Sequence, residues 1–293
     1  MLKYRIISFT AFVLLFAAVF YVKAFLPVFE FFADAVIVLG VIALSLAASL
    51  EVSALLSRIG FRNSKWVTAV FNLGATAYAF TLTVPAICLS FLPVMILFPA
   101  LWLFILFRKP RALAEIITAF AAALLVGAPM GLMILINDCV SFAGGRGLLF
   151  LICSTKLMDT GGYIFGMLSN KLMKGGNHKI APSISPKKSW EGFIGGLLLS
   201  LASGAVFYFL FSDQTLRWYL IVSGIMGVGS FFGDLTESAL KRMAQVKDSG
   251  SYIPGMGGAL DVVDSFLYNS MLMAAISLFF CGGGMPVYTG IMH

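Results

Sequence analysis

Apolar runs of about 17–25 residues recur along almost the whole of this 293-residue chain, separated by short polar loops. Nothing else constrains the fold as strongly. Only 20 Lys+Arg and 13 Asp+Glu are available, too few to coat a water-soluble globule of this length. An ordinary cytosolic domain and a disordered chain are both excluded. A disulfide scaffold is excluded too, because Cys88, Cys139, Cys153 and Cys281 are scattered and form no CxxC pair. The runs are continuous rather than short and alternating, which selects helices over a β-barrel. The expected class is therefore an all-α polytopic membrane protein.

The hydrophobic pattern predicts about nine transmembrane helices: Ile6–Val22, Ala33–Leu50, Trp66–Leu82, Ala86–Phe107, Glu115–Ile136, Gly147–Leu168, Gly192–Phe211, Trp218–Leu240 and Gly257–Cys281. The first follows Lys3 and Arg5 as a signal peptide would, but no small-x-small cleavage site follows it, so it is expected to stay as a span. With the N-terminus cytoplasmic, the inner loops collect Lys3, Arg5, Arg58, Arg62, Lys65, Arg108, Lys109, Arg111 and the later basic clusters, whereas the outer loops hold only Lys23, Arg146 and Arg217. That asymmetry obeys the positive-inside rule, and a wrong span count would scramble it. The net charge of +7 is then explained by topology and anionic headgroups. No nucleic-acid partner is needed.

Two parts differ in character. Residues 1–146 read as a transmembrane scaffold of about five helices, rich in Leu, Phe, Ala and Val. Glu51 and Glu115 fall near inner ends, where they are expected to reach water, and Gly127-Ala128-Pro129 is expected to kink the fifth span. Residues 147–293, about four helices with cytosolic loops, read as the catalytic region. Asp159, Asp234, Glu237, Asp261 and Asp264 fall inside apolar stretches here. A charge at a helix centre costs about 2.5–3.5 kcal/mol on insertion scales, so such residues face a cavity, a partner or a pathway.

Helical spacing sorts these acids onto faces. Asp159 shares a face with Gly162, Tyr163 and Gly166, whose glycines admit another backbone, and Lys156 is one turn away as an ion partner. Asp234, Glu237, Ser238 and Lys241 share a second face; Asp261, Asp264, Ser265 and Tyr268 share a third. Two facing helices with acid pairs at i, i+3 can hold a hard cation such as Mg²⁺. Two histidines, His178 and His293, and scattered cysteines give no zinc or copper set.

Two inner loops complete the pattern. Ser185-Pro-Lys187-Lys188-Ser-Trp190-Glu-Gly192 offers paired lysines to phosphates and a tryptophan to the interface or a base. Lys241-Arg242 through Lys247-Asp248-Ser249 leads to Pro254-Gly-Met256-Gly257-Gly258, whose backbone amides can cradle an anion. Carboxylates for a metal, cations and amides for phosphates, and a hydrophobic surround suggest phosphoryl or nucleotidyl transfer to a lipid phosphate or alcohol.

Taken in order, these motifs resemble the phosphatidate cytidylyltransferase (CDP-diacylglycerol synthase) family. The resemblance runs from Asp159-Thr-Gly-Gly-Tyr-Ile-Phe-Gly166 through Ser185-Pro-Lys-Lys-Ser-Trp-Glu-Gly192 and Gly233-Asp234. It continues through Ser238-Ala-Leu-Lys-Arg242 and Lys247-Asp-Ser249 to Pro254-Gly-x-Gly-Gly-x-Leu-Asp261-x-x-Asp264. It implies that CTP and phosphatidic acid give CDP-diacylglycerol and pyrophosphate. It implies Mg²⁺ on Asp234 and Asp261, a monovalent cation such as K⁺, a homodimer, and a bacterial inner membrane with the active site facing the cytosol. Catalytic roles are expected for Asp234, Asp261, Lys187, Lys188 and Asp264. Substrate-binding or orienting roles are expected for Ser185, Lys241, Arg242, Lys247, Asp248, Ser238, Asp159, Gly257 and Gly258. Two positions depart from the pattern: Met256 stands where many members have His, and Val262 where many have Arg.

Other readings remain open on residues alone. A CTP-dependent transferase or kinase acting on another lipid phosphate or a polyprenol-like alcohol would use a similar site. An ion-coupled transporter also carries intramembrane acids, but would show inverted repeats and broken helices in both halves.

Overall fold

The computed structural model describes residues 18–22, 26–81, 110–138, 146–211, 214–250 and 257–280. After a 3₁₀ turn at Pro27–Phe29, the helices are α1 (Glu30–Arg58), α2 (Lys65–Thr81), α3 (Pro110–Ala122), α4 (Ala128–Asp138), α5 (Arg146–Leu172), α6 (Trp190–Phe211), α7 (Leu216–Met243) and α8 (Leu260–Phe280). The protein is an all-α membrane protein. Five segments are long and apolar enough to cross a bilayer: Glu30–Arg58, Ala114–Asn137, Arg146–Leu172, Trp190–Phe211 and Leu216–Met243. The expected spans Trp66–Leu82 and Gly257–Cys281 coincide with α2 and α8, although α8 begins only at Leu260, leaving Gly257 and Gly258 in the connection. Most of Ile6–Val22 and all of Ala86–Phe107 lie outside the described residues.

A π-helical turn at Ala123–Gly127 joins α3 to α4. Pro129 follows at once and has no N–H to donate to the preceding turn, so the helix widens its hydrogen-bonding register instead of stopping. The Gly127 carbonyl turns to Thr76 Oγ1 at 3.1 Å, and Thr76 belongs to a buried polar cluster with Ser45 and Asn72. The kink expected at Gly127-Ala128-Pro129 thus takes the form of a π turn locked by α2.

Helices α5 and α6 approach through glycine. A Cβ on Gly161 would lie 2.8 Å from Gly196 Cα, and one on Gly192 would lie 2.7 Å from the Gly162 carbonyl oxygen. Small residues allow this backbone-to-backbone contact in a membrane. Helix α7 packs on α6 and α8, and α8 reaches back to α4 and α1. Asn269 donates to Thr155 Oγ1 (2.7 Å) and to the Met226 carbonyl (2.9 Å), tying α8 to α5 and α7. One apolar core continues through both halves of the chain. It includes Val52 and Leu55 of α1, Val126 and Ile134 around α4, Phe150 of α5, Met226 of α7, and Val263 and Met273 of α8.

The loop before α6 is not irregular. It forms an antiparallel hairpin of β1 (Lys179–Ala181) and β2 (Ser185–Ser189), with Lys179 opposite Ser189 and Ala181 opposite Ser185. The turn is closed by Ile184 N–H donating to the Ala181 carbonyl at 3.2 Å, with Pro182 in the position where its fixed φ suits a turn. Strand β2 then passes directly into α6. Ser189 Oγ accepts the Gly192 N–H at 3.2 Å and caps the helix.

Candidate active site

The acids of α5, α7 and α8 converge beside the β-hairpin, whose second strand packs on α5, α6 and α7. On α7, Asp234 Oδ2 is 3.2 Å from Lys188 Nζ, and Ser238 Oγ donates to Asp234 Oδ1 at 3.3 Å. Lys188 is pinned further by the Phe231 carbonyl at 3.1 Å and by the Phe231 ring, 4.6 Å below the ammonium. The hairpin thus delivers one of its paired lysines inward. Its neighbour Lys187 stands exposed, as strand alternation requires.

One turn along α7, Lys241 Nζ bridges Glu237 (2.8 Å) and Asp261 (2.6 Å), joining α7 to the first turn of α8. Asp261 Oδ2 also accepts from Gly258 N–H at 2.7 Å, Ser249 Oγ at 3.1 Å and Ser249 N–H at 3.3 Å. Gly257 has φ +97°, and a Cβ there would press on the Asp261 carboxylate. Gly257 and Gly258 therefore serve Asp261, the latter as a direct donor.

Asp159 lies beneath. It accepts from Ser230 Oγ at 2.6 Å and pairs with Lys156 at 3.1 Å. Ser265 Oγ is 3.3 Å from both Asp159 oxygens and 3.2 Å from Asp264 Oδ1, linking the two acids. Lys156 also reaches the Val262 carbonyl at 3.4 Å and the Phe266 ring at 4.5 Å.

Asp234, Glu237 and Asp264 each bring one carboxylate oxygen within 4.8 Å of the other two. An all-oxygen donor set suits a hard cation such as Mg²⁺. Glu237 Oε1 is buried and accepts no hydrogen bond among the described residues, which leaves a lone pair for an ion. The residues fit the metal. Of the expected pair, Asp234 belongs to this group with Glu237 and Asp264, and Asp261 stands beside it, bonded to Lys241, Ser249 and Gly258.

Arg242 latches the hairpin, its Nε donating to the Ile184 carbonyl at 3.2 Å. Ser185 begins β2, half-buried, and Lys247 and Asp248 are exposed on the segment leading to Ser249. Met256 lies outside the described residues, and Val262 is buried. Glu51 corrects an expectation: it does not reach water but is 3% exposed, with its carboxylate at the start of α8. The signal for it was the uncharged run Ala35–Leu50 just before it, since an acid closing such a run needs a polar partner inside the protein.

An apolar groove of about 650 Å³ runs along α7 between α6 and α8, lined by Leu197, Leu201, Ile221, Ile225, Val228, Phe232, Tyr268 and Leu272. At its Phe232–Tyr268 end, Tyr268 Oη is 3.2 Å from Thr236 Oγ1, and Tyr268 is one turn along α8 from Asp264. Clustered acids and inward lysines thus meet in the protein, with an apolar groove whose Tyr268 end is one helical turn from Asp264.

The model of the cytidylyltransferase family matches residues 3–280. The chain belongs to that family. A relative from Staphylococcus haemolyticus named phosphatidate cytidylyltransferase is 47% identical over 113 residues, covering 38% of this chain and 41% of the relative. One of the same name from Chlamydia trachomatis is 42% identical over 143 residues, covering 47% of this chain and 45% of the relative. A third, from Staphylococcus saprophyticus, is 43% identical over 122 residues, 41% of this chain and 45% of the relative. The matched stretches thus span less than half the length of these relatives.

Proposed function

We propose that this cytidylyltransferase-family protein joins CTP to phosphatidic acid, giving CDP-diacylglycerol and pyrophosphate for phospholipid biosynthesis. The observation that carries the reading is the meeting of Asp234, Glu237 and Asp264 with inward Lys188 and Lys241. Relatives named for that reaction support it. A phosphatidate oxygen attacks the α-phosphorus of CTP, forming a new P–O bond while the bond to the β-phosphate breaks and pyrophosphate leaves. The attacking phosphate is already anionic, so no strong general base is required. Rate comes from positioning and charge neutralisation.

Mg²⁺ is assigned to Asp234 with Glu237 and Asp264. Asp261, the second metal residue that the resemblance implies, is proposed beside them, its Oδ1 2.6 Å from Lys241 Nζ. When bound, the ion neutralises triphosphate charge and stabilises the leaving pyrophosphate. A monovalent cation such as K⁺ belongs to the same reading. Lys188, Lys241, Arg242, Lys187 and Lys247 supply positive charge for phosphates, Ser185, Ser238, Asp248 and Asp159 orient groups around them, and the groove takes an acyl chain. The protein is read as a homodimer in a bacterial inner membrane, with this site on the cytosolic side.

The lysines separate by geometry. Lys188→Ala, which removes the buried cation beside Asp234, is expected to lower kcat about 100-fold. Lys187→Ala, on the exposed face of the same strand, is expected to raise KM for CTP more than it lowers kcat. Steady-state rates in mild detergent check both. The substrate assignment is tested by offering CTP with either phosphatidic acid or a polyprenol-like alcohol. Pyrophosphate release with phosphatidic acid is expected. CDP release with the alcohol would replace the reading by a lipid kinase.

A further inference from the structure

The N-terminal region contributes a residue to this site that the motifs do not contain. Glu51 lies near the end of α1, almost 200 residues before the signature region, and is 3% exposed. Its Oε1 accepts the Ala259 N–H at 2.9 Å, and its Oε2 accepts the Leu260 N–H at 2.9 Å and the Ser249 hydroxyl at 2.7 Å. Ala259 and Leu260 open α8, whose first-turn amides have no partner within the helix. A carboxylate suits that end doubly, by hydrogen bonding and by the helix dipole. The neighbouring backbone makes room for it: Cβ atoms added at Gly250 or Gly258 would both overlap the Glu51 carboxylate.

Ser249 is the shared member. Its hydroxyl is 2.7 Å from Glu51 Oε2 and 3.1 Å from Asp261 Oδ2, and its N–H donates to Asp261. Asp261 is the second residue of α8, so the helix end that Glu51 caps is the one that carries it. We infer that Glu51 is a positioning residue for the transfer reaction, a cap supplied by the N-terminal helices that fixes the start of α8 and, through Ser249, the orientation of Asp261. It touches no reacting atom. The inference rests on the proposed nucleotidyl transfer for its effect on rate, but the cap itself is a matter of geometry.

Glu51→Gln keeps the size of the side chain but replaces one acceptor oxygen with a donor, so it cannot accept all three bonds. Hydrogen–deuterium exchange on the purified full chain reads the cap without any substrate. Faster exchange confined to the Ala259 and Leu260 amides is expected, with the rest of α8 and all of α5 and α7 unchanged. Unchanged exchange at those amides overturns the inference, whether or not the wild-type protein makes CDP-diacylglycerol. Exchange raised throughout the helices also overturns it, since that is general destabilisation. On the rate, residues that orient a site from behind cost about 10- to 100-fold when lost. Glu51→Gln is expected to lower kcat in that range with a much smaller change in KM for CTP. Ser249→Ala should give a similar loss, and the double variant should be no worse than the poorer single one, because both act on Asp261. Glu115→Gln, a change at a scaffold acid on a different helix, should keep the wild-type rate. Full kcat in Glu51→Gln, or fully additive losses in the pair, would overturn the positioning role.

Discussion

Asp261→Asn is expected to reduce nucleotidyl transfer by at least about 100- to 1000-fold while the protein still folds and inserts. Asn matches Asp in size and retains one acceptor oxygen, so contacts from Gly258 N–H and Ser249 are partly kept. Lost is the negative charge facing Lys241 Nζ at 2.6 Å. Lys241 still has Glu237 at 2.8 Å, and without Asp261 it is drawn fully onto that acid. Glu237 is one of the three carboxylates that surround the candidate metal position. The substitution therefore disturbs both the charge on α8 and the ligand set on α7. Removing one partner of a buried pair also destabilises the fold, by about 3–5 kcal/mol when the other charge is stranded. Here Glu237 shares the cation, and a smaller loss is expected. Initial rates together with thermal melting in detergent separate the two effects. A rate loss with most of the melting temperature retained supports the catalytic role. A near-normal rate would remove Asp261 from it.

The second large effect is structural. Gly196→Ala should lower the melting temperature sharply, whereas Gly162→Ala, across the same interface, should be tolerated. A Cβ on Gly196 would lie 2.6 Å from the Met158 carbonyl oxygen and 3.0 Å from the Gly162 nitrogen, both backbone atoms that cannot step aside. A Cβ on Gly162 meets only the Gly192 carbonyl oxygen at 3.8 Å, an ordinary contact. Ala is otherwise the better helix former by about 1 kcal/mol, so the opposite outcomes reflect packing. Overpacking of this kind costs about 1–3 kcal/mol. Because Met158 immediately precedes Asp159, forcing α5 away from α6 should also weaken the Ser230–Asp159 contact and lower activity. Equal melting temperatures for the two variants would contradict the close approach of α5 and α6.

Much of this was legible in the sequence because the bilayer forces it to be. An apolar run must be helical to satisfy its backbone groups in lipid, so the expected spans that fall on described residues match helices. An acid inside such a run must have a use, which singled out Asp159, Asp234, Asp261 and Asp264. Spacing placed Glu237, Ser238 and Lys241 on the face of Asp234, and the observed Ser238–Asp234 and Lys241–Glu237 contacts follow from it. Contacts between segments distant in the chain were not legible. Nothing in the spacing says that Glu51 meets Ala259 and Leu260, or that Lys241 binds Asp261 as well as Glu237. The hairpin was hidden for another reason. Ser185-Pro-Lys-Lys-Ser carries no hydrophobic alternation, and its pairing with Lys179–Ala181 is fixed by the Pro182 turn and the direct entry into α6. The grouping of Glu237 and Asp264 with Asp234 likewise depends on how α7 crosses α8 at Gly233, where a Cβ would lie 2.6 Å from the Asp264 carbonyl oxygen.

The most direct test follows the phosphorus. Two parallel reactions contain the purified protein, phosphatidic acid and Mg²⁺, one with CTP labelled at the α-phosphate and one with CTP labelled at the γ-phosphate. Nucleotidyl transfer moves the α-label into the lipid phase and leaves the γ-label in water as pyrophosphate, and both changes should fail without Mg²⁺. Label from the γ-position in the lipid, or no label there at all from well-folded protein, would contradict CDP-diacylglycerol synthesis.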